Sequence, residues 1–456
     1  MDGVFGFEYR SGELALRWGR DMVEQIQGDK FTRSLGIFQV TASGVAVIIG
    51  AGIFVLMGAA TERAGALVWL SFVIAAALSA LTAFSYMELS SMFPRASAEH
   101  EFTRQVFPRW IAGTVGWVMA VALVVATATV ALGFSQYLRE FVSIDRRLGA
   151  IALVLVMAVI SYLGMERAAW VVVGLGAVEV GSLVVVGTSG LSRVGDVNLT
   201  SGQLGGVLSG AALVFFAFIG FDEVITLSEE TKDPVRTIPR ALFLALGIST
   251  LLYVLVAVSA VSVLGVDGLT SSERPLADVM TELWGTRSGR WMSAAAIVST
   301  SSTVLLVVTA ASRMLYGVAV AGDLPGRLGV VRHRRVPLNA LLVSAIVACG
   351  LILFNDLSLL AAATDVLVYV TFVFVNVVTI VLRKTQPDLE RPFRIRGAIG
   401  WVPVVPVLGL VVVIVVSGQL ELRATLLAAL LIVAGAVVHW MHRLVEFRKS
   451  SIPQKS

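Results

Sequence analysis

Charge is what this sequence has little of. Asp, Glu, Lys and Arg make up 14% of its 456 residues, against about 25% in soluble globular domains, and that deficit excludes an ordinary water-soluble protein. Cysteine is almost absent. Cys349, inside an apolar run, is the sole thiol, so no internal disulfide and no thiolate metal site is expected. The four histidines, His100, His333, His439 and His442, show no HExxH spacing. No basic run is long enough to suggest a nucleic-acid partner, and no nucleophile–base motif marks an enzyme. Catalytic residues, a metal and a resident cofactor are therefore not expected. The first thirty-odd residues are polar and mixed in charge, without an apolar core and small-residue cleavage site, so a cleaved signal peptide is not expected either.

What the chain has is apolar length. Hydrophobic residues make up 57% of it, and its mean hydropathy is +0.86. A helix rises about 1.5 Å per residue, so some 20 apolar residues cross a hydrocarbon layer of about 30 Å. By that ruler the sequence predicts twelve spans, as an all-α membrane bundle. They run from Gly36 to Ala60, Gly65 to Met92, Ile111 to Tyr137, Leu148 to Leu163, Ala168 to Leu191 and Gly206 to Leu227. The rest run from Ala241 to Leu264, Trp291 to Ala321, Leu338 to Phe354, Leu357 to Leu382, Val402 to Gly418 and Ala424 to Met441. None shows the alternation of a barrel strand. With an inner N-terminus, 25 Lys and Arg residues fall on the inner side and nine on the outer, with Arg313 inside the eighth span. That bias places both termini in the cytoplasm, and the expected location is the cytoplasmic membrane.

Two stretches stand out. Ile48-Ile49-Gly50-Ala51-Gly52-Ile53-Phe54 interrupts the first span with small residues, and Phe215-Phe216-Ala217-Phe218-Ile219-Gly220-Phe221-Asp222 interrupts the sixth. Opened backbone is tolerated at membrane depth only inside protein or along a wet cavity. Paired interruptions in two halves of a chain point to a transporter's binding site. An offset of five spans inverts the second unit, so the breaks would face each other near the midplane. A half-helix starting near Ile53 offers N–H groups to a carboxylate, and one ending near Ile48 offers carbonyls to an ammonium. Small residues packing two helices closely would leave the same trace.

Glu179 is an acid near the middle of the fifth span. A charge there costs about 2.5–3.5 kcal/mol on insertion scales, which makes it a functional-site candidate by default. Desolvation disfavours its charged form and suits a proton carrier; a neutral, hydrogen-bonded structural acid is the plainer alternative. Ser301 and Ser302, within Ser299-Thr300-Ser301-Ser302-Thr303 of the eighth span, are candidates for a polar wall or ion site beside it. The same five hydroxyls also suit ordinary interhelical bonding. Asp222 and Glu223 are adjacent carboxylates near membrane depth. Pro234 and Pro239 are expected to stop a helix and fix a charged inner turn after Glu229-Glu230.

With these residues in view, the chain resembles the amino acid–polyamine–organocation permease superfamily, nearest the bacterial amino acid permeases related to cationic amino acid transporters. The motifs are Ile49-Gly50-Ala51-Gly52-Ile53-Phe54, then Tyr86-Met87-Glu88-Leu89 running on to Phe93-Pro94, then Phe215 to Asp222 with Glu229-Glu230-Thr231-Lys232-Asp233-Pro234 and Ile238-Pro239. Ser312-Arg313-Met314-Leu315-Tyr316, Gly322-Asp323-Leu324-Pro325 and Arg391-Pro392-Phe393 extend the match. The resemblance implies the LeuT-type fold, two inverted five-helix repeats plus two helices. It divides the chain into an arm (1–34), repeats (35–192 and 193–382), a last helix pair (383–444) and a tail (445–456). It implies carboxylate binding at Ala51 and Gly52, with Gly50 beside them in the substrate site. The ammonium would meet the carbonyls of Ile48, Phe216, Ala217 and Ile219, with Phe216 shielding the substrate. Glu179 stands where proton-coupled relatives often carry a lysine, and 95–102 departs from the usual glycine-rich segment.

The expected function is secondary active transport of an amino acid by alternating access, with proton symport through Glu179. The expected coupling ion is a proton, with sodium the alternative, and the partners are a small amino acid and the lipid bilayer. An amino acid or amine exchanger, or a polyamine carrier, is the alternative; a membrane sensor that binds without net transport is a third.

Overall fold

In hydrocarbon, every backbone N–H and C=O must find a partner within the protein, so long apolar runs fold as helices. The computed structural model describes residues 35–93, 97–164, 169–202, 204–226, 231–331 and 336–450. The N-terminal arm, Glu229-Glu230 and Pro94-Arg95 lie outside the described residues.

The first interrupted span is two helices, α1 (Ile37–Ile48) and α2 (Gly52–Ala64). Next come α3 (Val68–Met92), the short α4 (Ala98–Arg104), α5 (Arg109–Leu138), α6 (Arg146–Leu163) and α7 (Ala169–Ser189). The second interruption follows α8 (Leu204–Val214) as a 3-10 turn, Phe215–Phe218, and leads into α9 (Glu223–Thr226). Then come α10 (Pro234–Ser271), α11 (Pro275–Trp284), α12 (Thr286–Val320), α13 (Leu338–Ile352) and α14 (Leu357–Thr385). A two-residue-strand hairpin, β1 (Ala398–Ile399) with β2 (Val402–Pro403), precedes α15 (Val404–Ser417) and α16 (Leu422–Ser450). Among the described residues, eight helical stretches are long and apolar enough to cross a membrane. Four shorter apolar helices, Ile37–Ile48, Leu204–Phe218, Leu338–Ile352 and Val404–Ser417, join them. The chain is a multi-pass helical membrane protein.

One expectation needs correcting. Pro234 and Pro239 do not stop a helix: α10 starts at Pro234 and runs through Pro239. A proline at the first helical position loses only an N–H that has no partner anyway. Pro239, one turn further in, forgoes one ladder bond, and the apolar face beyond it keeps the helix going. The seventh span starts earlier than expected, at Pro234, and its continuous helix breaks at Gly265 (φ 68°), where the expected span ends; a second helical stretch continues to Ser271.

The centre of the bundle is α5, buried along almost its whole length. Its Ala, Gly and Thr content permits close neighbours: a Cβ on Gly133 would lie 2.2 Å from Val55 of α2, and one on Gly116 would lie 2.6 Å from Val318 of α12. Two polar staples tie connecting segments to the bundle. Buried Glu88 of α3 is forked by the Arg383 guanidinium of α14 and accepts Ile395 N–H at 2.8 Å, with Arg391 Nε 3.5 Å away. The motif around Tyr86-Glu88 and the motif around Arg391-Phe393 thus meet across about 300 residues of sequence. Asp323, after α12, takes His100 Nε2 at 2.9 Å and Arg109 Nε at 2.8 Å, and its carbonyl oxygen lies 2.8 Å from His439 Nδ1.

Candidate functional site

The first break spans 49–51. Ile49 leaves helical geometry at φ −78°, ψ 53°, and α2 begins at Gly52. At the second break, Ile219 is extended (φ −61°, ψ 135°) and Gly220 takes φ 109°, a conformation open to glycine at no steric cost.

The two breaks lie against each other. A Cβ on Gly52 would sit 2.5 Å from Ala217 Cα and 2.6 Å from Ala217 Cβ, and one on Gly220 would sit 3.1 Å from the Val47 side chain. The small residues therefore serve backbone-to-backbone approach between two opened helices. A side chain at Gly52 would meet the Ala217 backbone.

Tyr253 of α10 closes the arrangement. Its buried hydroxyl lies 2.8 Å from the Ile48 carbonyl oxygen and 2.9 Å from the Ala217 carbonyl oxygen. A phenol has one proton to donate, so two convergent carbonyls from different breaks share a single donor. Acceptor capacity is left over for a cation with several N–H groups. On the other side of the first break, the N–H of Ala51 donates to Thr303 Oγ1 at 3.2 Å, and a Cβ on Gly50 would lie 3.0 Å from the same oxygen. The aromatic residues divide their tasks. Phe215 packs on Tyr369 and Phe372 of α14 (centroids 4.8 and 5.5 Å), and Phe218 packs on Tyr253 (5.2 Å). Phe216 is buried, and no ring stacks on it among the described residues.

Glu179 of α7 is 3% exposed, and Ser302 Oγ lies 2.7 Å from its Oε1. The same Ser302 hydroxyl is 2.8 Å from the Ser299 carbonyl oxygen, which also accepts Thr303 Oγ1 at 2.9 Å. One turn of α12 therefore touches both Glu179 and the first break. Ser301, on the same turn, makes no side-chain hydrogen bond among the described residues; Ser302 holds the position beside Glu179. Asp222 lies in the turn after Gly220, and Glu223 begins α9.

Three residues escaped the sequence reading. Tyr253 carried a usable signal, because a buried tyrosine needs a partner for its hydroxyl, but nothing in sequence says which. Thr303 was hidden among five neighbouring hydroxyls. Asp365, in the middle of the apolar run of α14, carried the same signal as Glu179, a lone acid within a span.

Similarity to known proteins is broad. Residues 35–438 match the amino acid permease family. The chain is 30% identical to the branched-chain amino acid permease of Bacillus subtilis (strain 168), over 85% of this chain and 88% of that one. It is 26% identical to the methylthioribose transporter of the same organism, over 84% and 87%. To the mitochondrial cationic amino acid transporter 3 of Arabidopsis thaliana it is 29% identical, over 80% of this chain and 64% of that one.

Proposed function

The chain belongs to the amino acid permease family, and from that premise we propose that it is a secondary active transporter of amino acids driven by a proton gradient. On this reading twelve spans form two inverted five-helix repeats of the LeuT type, followed by α15 and α16. Both termini face the cytoplasm, and the substrate binds between the two breaks.

One observation carries the proposal: the carbonyls of Ile48 and Ala217 converge on a single phenolic proton at Tyr253. An α-ammonium supplies the missing donors. The first amides of α2, at Gly52 and beyond, have no partner within their own helix and lie at its positive end, so they suit the α-carboxylate. The recognised groups are those common to all amino acids. Phe216, not engaged in stacking, shields the substrate. The coupling proton resides on Glu179. Protonated, Glu179 donates to Ser302 Oγ, and the Ser302 proton turns to the Ser299 carbonyl. Ionised, Glu179 takes the Ser302 proton. Thr303, bonded to that same carbonyl and to Ala51 N–H, passes the change to the substrate site.

A second reading, amine or cationic substrate exchange, draws on a different feature. A cavity of about 500 Å³ beside α2 and α11 is lined by the carboxylates of Glu62, Glu273 and Asp356 against the single guanidinium of Arg146. An acidic excess of that kind concentrates cations.

Flux of radiolabelled amino acids into liposomes, with and without pH and sodium gradients, separates the two. Accumulation driven by an inward proton gradient supports symport; gradient-independent exchange, competed by polyamines, supports the second reading. Glu179→Gln is expected to abolish the pH dependence of uptake while leaving exchange partly intact. Unchanged pH dependence in that variant sinks the role given to Glu179.

A further inference from the structure

We propose that Asp365 is a second membrane-embedded proton site, taking up and releasing one proton per transport cycle in addition to Glu179; the cycle rests on the symport reading above. Asp365 is 0% exposed, and among the described residues neither carboxylate oxygen has a hydrogen-bond partner. A buried ionised carboxylate without a donor is far too costly to keep, whereas the protonated acid is neutral. Metal cations are a poor match, because they need several converging oxygens. The nearby hydroxyls of Thr364 and Thr371 are spent on their own helix, on Leu360 and Leu367. A proton needs one ligand atom.

Among the described residues, the charged surroundings leave one competitor. On the helices packed against α14, α8 and α15 carry no titratable side chain. α5 carries only Arg109 at its far end and Tyr137, whose hydroxyl bonds Phe54 O. α3 carries Tyr86 and Glu88, and Glu88 pairs with Arg383, 18 residues or about 27 Å further along α14. The ionisable residues of α4 lie toward that same end. α16 adds Arg423 at its start and His439, His442 and further charges at its far end. Tyr369, one turn on, gives its proton to Ala212 O of α8. The charge that bears on Asp365 is Arg63, at the end of α2. Arg63 Nη2 is committed to Glu421 at 2.6 Å, and its buried Nη1 has no hydrogen-bond partner among the described residues.

The same helix runs from a cavity, past Asp365, to the second break. Leu357, at the start of α14, lines the 500 Å³ cavity, and Asp365 lies eight residues, about 12 Å, further along the helix. On the far side, Tyr369 stacks on Phe215 at the second break. Loading Asp365 thus bears, through Tyr369, on the turn that carries the Ala217 carbonyl.

The test is infrared spectroscopy of the purified full-length protein at neutral pH, following the deuterium-sensitive carbonyl stretch of protonated carboxylic acids. One such component is expected to vanish in Asp365→Asn, to persist in Glu179→Gln, and to return at a shifted position in Asp365→Glu, which also controls for misfolding. In liposomes, the proton-to-substrate ratio is expected to fall by one in Asp365→Asn. No lost component, or a component that appears only once Arg63→Gln removes the guanidinium, overturns the proposal and makes Asp365 the ionised partner of Arg63. An unchanged flux ratio overturns it as well. Absence of any amino acid flux in the unmodified protein removes the symport reading, and the infrared result still decides the protonation of Asp365.

Discussion

Replacing Gly52 with alanine tests the contact between the two breaks with the smallest possible change. The new methyl carbon would stand 2.5 Å from Ala217 Cα, 2.6 Å from Ala217 Cβ and 3.1 Å from Ala217 N. Carbon atoms rest at about 3.5–4.0 Å, so the shortfall is roughly 1 Å. No rotamer relieves it, because the opposing atoms belong to backbone and to a side chain without torsions. The breaks must move apart, and overpacking of this kind costs about 1–3 kcal/mol. If the strain is relieved by separating the Ile48 and Ala217 carbonyls, an ammonium held between them loses that much binding energy, or about 5- to 150-fold in affinity. Equilibrium binding of a radiolabelled amino acid to the solubilised protein reads the loss, and a thermal melt reads the strain. Gly247→Ala, at an exposed α10 position where a Cβ meets nothing within 4 Å, is the control and is expected to bind normally. Gly52→Leu, with more atoms to place against the same backbone, is expected to abolish binding. Wild-type affinity and melting temperature in Gly52→Ala would refute the close approach and, with it, the placement of the site.

Tyr253→Phe removes the one donor shared by Ile48 and Ala217 and is expected to destabilise the protein by about 1–3 kcal/mol. A saturating amino acid, bringing its own N–H groups, should then raise the melting temperature by more than it does in the parent; an equal or smaller rise contradicts the ammonium assignment. Thr303→Val removes the acceptor of Ala51 N–H and one donor to Ser299 O at nearly constant volume; a raised KM whose pH dependence is flattened is expected, and a raised KM with the parent pH profile argues against a relay through this residue. Asp323 makes an acid-stability prediction. Burial alone would push its carboxyl up, but the hydrogen bond from His100 and the charge of Arg109 outweigh this and hold it below the usual carboxylate range. A carboxyl depressed in the folded state contributes stability in full above its unfolded value of about 3.9 and loses it as pH falls toward the folded value. Melting temperature should therefore drop steeply below about pH 4 in the parent and less steeply in Asp323→Asn, as followed by a thermal melt across a pH series.

Much of this architecture was written in the sequence because the membrane narrows the options. Long apolar runs had to become helices, and Gly50-Ala51-Gly52 and Ile219-Gly220 marked where helices could give way, although close helix packing would have left the same mark. Where helices end was less legible: Pro239 reads as a stop by local rules, yet α10 passes through it, because burial of the apolar residues beyond outweighs one missing bond. Partnerships across the bundle were not legible at all. The Tyr253 hydroxyl reaches residues 205 and 36 positions away, and Thr303 reaches Ala51 across 252. Such pairings follow from how helices pack, which local pattern does not encode. Asp365 was legible by the same reasoning that marked Glu179. Only the structure separates the two acids, since Glu179 has Ser302 beside it and Asp365 has no hydrogen-bond partner among the described residues.

Two hydroxyls in this protein share one feature, and on the proposed symport reading it ties substrate to driving ion. Tyr253 stands between two carbonyls with one proton to give, and Ser302 stands between Glu179 and the Ser299 carbonyl with one proton to give. Each is a donor shortage, which on the proposed reading an arriving ammonium resolves in the first case and a proton in the second. Thr303 links them, because it touches both the Ser299 carbonyl and the Ala51 amide. Coupling between two binding events is reciprocal: if protonation of Glu179 raises the affinity for the amino acid by some factor, the amino acid raises the affinity for the proton by the same factor. Substrate binding to the purified protein in weak buffer must then draw protons from solution near the pH where uptake changes, and Glu179→Gln must abolish that draw while leaving the ammonium cradle at Tyr253 in place.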